Sequence, residues 1–197
     1  MEWSNIYYKN VCIKNRNMKL NNNALSAIAL ANEYCQALEL ATSVSPREFV
    51  LKMTRILPRI YIAVSDIPAS ADDDSNDMDF GFDSIHLDET YYNEIRDNIA
   101  AVMGEHDTYL ETFHEDMKYS DTPIAATVSE SLADLFQVLY NFVEDVREAD
   151  PDQALGYLTD LRRQFAEYWG GTLCNVMRPL NHYIHHTEDE DDEEDFI

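Results

Sequence analysis

Glycine and proline are scarce, five and six in 197 residues, which denies the chain the turn formers that a many-stranded β protein needs. Three cysteines, Cys12, Cys35 and Cys174, form no C-x-x-C and stand at no zinc-finger spacing, so they read as reduced thiols of a cytoplasmic protein. Positive charge is also short: 14 Lys and Arg against 38 Asp and Glu leave a formal charge of −24. That balance argues against an electropositive face for nucleic acid or an anionic membrane. No run of about 18 apolar residues is present to span a bilayer. The first 20 residues hold neither a continuous apolar stretch nor a small-residue cleavage site, so no secretory signal is read there. What is abundant is core material, 45% hydrophobic and 11% aromatic, enough for a packed domain. Composition therefore indicates a helical class and no particular activity.

The acidity is uneven. Residues 1–69 carry five acids and eight bases, whereas residues 70–197 carry 33 acids and six bases. Eight acids fall between Ser70 and Glu89, and Glu188 to Asp195 is acidic at all eight positions. Such runs repel themselves and bury nothing, which predicts a solvated loop over 70–87 and a disordered tail over 187–197. Residues 1–21, polar and aperiodic, are expected to be a loosely packed arm, the alternative being a natural start at Met18 with residues 1–17 before it. Between them, residues 22–186 are expected to form a single helical domain.

Apolar spacing in that region follows period 3.6. Ala24–Thr42 reads as a first helix behind Asn22 and Asn23. Ser45-Pro46 with Glu48 is a capping box opening a second, whose face is Phe49, Met53, Ile56, Ile60, Val64 and Ile67, kinked at Pro58. Asp88 caps a third helix to about Glu105, carrying Tyr91 or Tyr92, Ile95, Ile99, Val102 and Met103. Asp107–Phe113 reads as one further helical turn. The clearest stripe, Val128, Leu132, Leu135, Phe136, Leu139, Phe142, Val143 and Val146, marks the central helix. Asp150-Pro151 opens the last, with Leu155, Leu158, Leu161, Phe165, Trp169, Leu173, Val176 and Leu180 on its face and a bend expected at Gly170-Gly171. The predicted architecture is all-α, one antiparallel bundle of five or six helices.

The ordered segments LANEYCQALE (30–39), RILPRIYIAV (55–64), HDTYLETF (106–113), ESLADLFQVLYNFV (130–143) and FAEYWGGTLCNVMRPLNHYI (165–184) together resemble the bacterial domain-of-unknown-function family 5063. The resemblance covers roughly residues 24–186 and marks Pro58, Tyr61, Tyr109, Asp134, Trp169, Gly170, Arg178 and His182. Tyr168 and Thr172 stand where that family's pattern commonly has His. The resemblance implies a cytoplasmic bacterial helical protein and names no activity.

Motifs that carry chemistry are mostly missing. Asp77, Asp79 and Gly81 suggest a calcium loop, but Phe82 and Asp88 occupy its required Gly and Glu positions. Glu111 and His114 make one Glu-x-x-His, where a di-iron bundle needs two. His182, His185 and His186 contain one i, i+4 pair able to chelate a transition metal, ahead of Glu188 and Asp189. No P-loop, Gly-x-Ser-x-Gly or Gly-x-Gly-x-x-Gly is present.

Asp134 and Arg178 each sit off their own helix's apolar stripe, and a carboxylate and a guanidinium drawn together could share one polar site. The binding candidates, taken from the positions the resemblance marks, are Tyr61, Tyr109, Asp134, Trp169, Gly170, Arg178 and His182, with no catalytic residue, metal or cofactor assigned. The leading expectation is a non-enzymatic interaction protein with a basic protein partner, binding neither nucleic acid nor membrane directly, through a groove near Trp169, Arg178 and Tyr61. A helical enzyme or metal-dependent hydrolase using Asp134, Tyr109, Arg178 and His182 is the alternative. An acidic nucleic-acid mimic that regulates a nucleic-acid enzyme is a weaker one.

Overall fold

Ser45 opens the second helix as its spacing predicts: its hydroxyl accepts from Glu48 N while the Glu48 carboxylate accepts from Ser45 N, with Pro46 in the first turn. Asp88 caps the third by accepting from Tyr91 N at 2.8 Å, and Asp150 forms a second capping box with Gln153. These local bonds satisfy amides that a helix start leaves orphaned.

The computed structural model describes residues 22–68, 86–111 and 124–187. The N-terminal arm, the acidic loop up to residue 85 with Asp77, Asp79 and Gly81, His114, and the tail from residue 188 lie outside the described residues. The helices are α1 (Asn22–Glu39), α2 (Pro46–Ser65), α3 (Glu89–Met103), α4 (Val128–Glu148), α5 (Pro151–Gln164) and α6 (Gly170–His186). Short 3₁₀ turns follow α1 and α3. Among the described residues no helix is long and apolar enough to cross a membrane.

Helix dominates, as the all-α expectation has it, with one small two-stranded sheet added among the described residues. Thr108–Glu111 is strand β1, not a helical turn, and it pairs antiparallel with β2 (Ile124–Thr127) in the register Tyr109↔Ala126. The cause is a long-range cap. Asp107 accepts from Ser129 N at 2.8 Å and from Ser129 Oγ at 2.7 Å, and its carbonyl accepts from Val128 N. By capping the start of α4, Asp107 lays the residues after it beside those before α4, where Thr108, Tyr109 and Leu110 suit an extended backbone. Glu111 is therefore on a strand, and the helical-face reading of Glu111 with His114 does not hold.

One contiguous core is formed by the stripes. Phe49, Met53, Ile56, Ile60, Val64 and Ile67 of the second stripe are all buried, as are Val128 to Val143 of the central one. Leu155 is the exception: it is exposed and Ala154 is buried in its place. Ala154, Leu158, Leu161 and Phe165 repeat at intervals of four, three and four, which puts Leu155 about 100° off the buried face. Helices α1 and α2 run antiparallel, since Asn23 reaches Asp66 O near one end and Glu33 lies 3.5 Å from Arg59 further along. Helix α4 packs against α1, α3 and α6. Tyr34 of α1, fully buried, donates to Leu132 O of α4 at 2.8 Å.

Between α5 and α6 the chain makes a π-turn, Phe165–Trp169. The irregularity thus falls one turn before the expected Gly170-Gly171. Gly170 N–H donates back to Phe165 O, and a Cβ built on Gly170 would lie 2.5 Å from that oxygen. The i to i−5 bond brings the carbonyl to where a side chain would stand, so glycine is needed there.

Candidate functional site

Glu130, Asp134, Asn141 and Asp145 lie within about 60° of one another on α4 at 100° per residue, forming a polar stripe beside the apolar one. Helix α3 and the residues before it fasten onto this stripe. Tyr92 OH donates to Asp134 Oδ1 at 2.7 Å. His86 N and Leu87 N donate to Asn141 Oδ1 at 3.0 and 3.1 Å, and His86 Nε2 lies 2.8 Å from Asp145 Oδ1. Because position 86 meets 145 and position 92 meets 134, α3 and α4 run antiparallel. Asp145 is 6% exposed, and among the described residues its Oδ2 has no hydrogen-bond partner. The contact with His86 thus satisfies one oxygen of a buried carboxylate whose burial would otherwise be costly.

At the hairpin end of the stripe, Tyr109 is half-buried, with its phenol 3.1 Å from Ser131 Oγ and 3.3 Å from Glu111 Oε2. Burial pushes its pKa up, Ser131 draws it down, and Glu111 and Glu130 push it up again. The Tyr92 phenol is raised further, first by burial and then by its bond to Asp134. Tyr168 is 63% exposed, and its phenol is raised by partial burial and by the nearby charges of Asp134 and Glu130. The Tyr92 phenol thus bonds Asp134, while Tyr109 and Tyr168 stand within electrostatic reach of Glu130. All three stay protonated near neutral pH and keep their O–H donors.

The sequence-derived binding residues divide into groups. Tyr61 meets Phe165 edge to face at 5.1 Å, and Phe165 meets Trp169 at 4.6 Å. Gly170 lies against the same Phe165, so Tyr61, Trp169 and Gly170 share one aromatic cluster. Trp169 and Gly170 are buried and support this cluster from beneath. Tyr109 and Asp134 belong to the α4 stripe. His182 is exposed on α6, stacked on His186 with ring centroids 4.3 Å apart, and His186 Nδ1 is 3.2 Å from His182 O. Arg178 is exposed on α6, which packs against α4. Among the described residues no three His, Cys, Asp or Glu gather as metal ligands.

Sequence reasoning missed Tyr92, Tyr168, His86 and Asp145. The i, i+4, i+11, i+15 spacing of Glu130, Asp134, Asn141 and Asp145 was the available signal for the stripe. Nothing local marks their partners.

No curated protein matches the chain. The fold is similar to the crystal structure of protein BF1032 from Bacteroides fragilis, with a TM-score of 0.69, 24% identity, and coverage of 86% of this chain and 96% of that one. That likeness concerns the fold alone. The model of a family described as a domain of unknown function, DUF5063, matches residues 18–186. With that match spanning nearly all of the helical region, the chain belongs to the DUF5063 family.

Proposed function

We propose that this chain is a non-enzymatic interaction protein whose α4 face takes a basic segment of a protein partner. The observation that carries the reading is Tyr168, a large aromatic side chain left 63% exposed within electrostatic reach of the carboxylates of Asp134 and Glu130. A lysine or arginine laid over the Tyr168 ring gains a cation–π contact, and its charged end can reach a carboxylate within the same step. The Tyr92 phenol already orients Asp134, so less side-chain freedom is lost on binding. Exposed tyrosine is also a common binding anchor. The formal charge of −24 would steer a basic partner toward the chain from a distance. Tyr61, Trp169 and Gly170 enter this reading as supports of the turn that carries Tyr168, and Tyr109 as a flank of the carboxylates. Arg178 and His182, one helix away, are assigned to its margin.

The experiment is capture of partners by the immobilised full chain from a lysate at low and high salt, beside Tyr168→Ala and Asp134→Asn. Loss of about fivefold or more of the same captured protein in both variants, with melting unchanged, is the expected result. Equal capture by wild type and both variants would contradict the reading.

A further inference from the structure

The last turn of α6 brings two imidazoles together. His182 and His186 stand four residues apart, so they share one helical face, and their rings stack with centroids 4.3 Å apart and planes 16° from parallel. We propose that this pair chelates a divalent transition-metal ion of the zinc and nickel class at the surface, a site separate from the acidic α4 face and independent of the partner-binding reading.

Hydrogen bonding prepares the pair. His186 Nδ1 lies 3.2 Å from His182 O, and a carbonyl can only accept, so Nδ1 carries a proton. In the neutral ring that leaves the lone pair on Nε2, the arrangement by which metal-binding histidines are commonly fixed. Two Zn–N bonds of about 2.1 Å at a tetrahedral ion hold their nitrogens roughly 3.4 Å apart. Stacked rings can come to that spacing by turning about χ2, a broad torsion in histidine.

The turn that carries the pair is anchored. Tyr183 packs its ring edge to face on His106 at 5.1 Å, which ties the end of α6 to the 3₁₀ turn after α3. Thr187 N–H donates to Tyr183 O at 3.2 Å and closes the helix. Both His182 and His186 are exposed, so an ion reaches them without any opening of the fold.

The ligand class follows from the donors. Imidazole nitrogen suits zinc, nickel and copper, whereas magnesium and calcium take oxygen. The C-terminal end of a helix favours a cation, and the formal charge of −24 concentrates cations around the chain. Since no three His, Cys, Asp or Glu gather as metal ligands among the described residues, two protein nitrogens hold the ion and water fills its other positions.

The test is isothermal titration calorimetry of the untagged full chain with Zn²⁺ and with Ni²⁺, in excess Mg²⁺ to occupy the carboxylates of the acidic segments. His182→Ala, His186→Ala and His185→Ala are titrated beside the wild type, and circular dichroism melts establish that all three fold. Expected is a saturable site for at least one of the two ions, weakened about tenfold or more by loss of either His182 or His186, because the second ligand acts at high effective concentration, and unchanged in His185→Ala. No saturable binding of either ion, a folded His182 or His186 variant binding like wild type, or an equal loss in His185→Ala would each overturn the proposal.

Discussion

Truncating Trp169 to alanine is expected to lower unfolding free energy by about 3 to 5 kcal/mol. The side chain is 1% exposed and is the largest of the fully buried ones, so its removal leaves a cavity against Phe165 that a π-turn already constrained by Gly170 cannot close. Trp169→Phe should cost far less. It keeps an aromatic ring and deletes the indole N–H, which has no hydrogen-bond partner among the described residues; the lost volume is then partly offset by removing an unsatisfied buried donor. Urea denaturation of the two variants checks this. Equal costs for Ala and Phe would mean that the indole nitrogen, not the ring, holds Trp169 in place.

Leu135→Ala is expected to cost about 2 to 5 kcal/mol, because Leu135 is fully buried on α4, the helix that touches α1, α3 and α6. With its neighbouring helices, α5 among them, positioned by other contacts, the gap has little means of collapsing. The midpoint of the denaturation curve should move with no change in its slope. A cost below about 1 kcal/mol would contradict the packing of the central helix.

These two sites show what local pattern carries. Leu135 and Trp169 both lie on stripes readable at period 3.6, and the capping boxes at Ser45 and Asp150 are complete within four residues, so the helices and most of the core are legible. Hairpin β1–β2 is not, because its cause is Asp107 capping Ser129, 22 residues away. The same holds for His86 with Asp145 and Tyr92 with Asp134, pairs separated by 59 and 42 residues. In sequence, Tyr92 reads as an apolar position, and only the fold shows that its phenol reaches a carboxylate. Leu155 was misplaced for a different reason: one leucine next to one alanine at a helix start gives the hydrophobic pattern two phases, and packing chose the alanine. The π-turn leaves one trace in periodicity, the three successive four-residue steps Leu161, Phe165, Trp169 and Leu173, which period 3.6 would not hold on one face.

The proposed recognition face is tested most directly by ¹⁵N-labelled chain titrated with an octalysine peptide, once with residues 188–197 present and once with them deleted. The account predicts saturable shifts at Glu130, Asp134 and Tyr168 that persist after deletion, since aromatic and hydrogen-bonded contacts on α4 do not depend on the tail. Shifts that vanish from α4 once residues 188–197 are removed would show that the acidic run alone attracts the peptide, and would contradict a recognition site on α4.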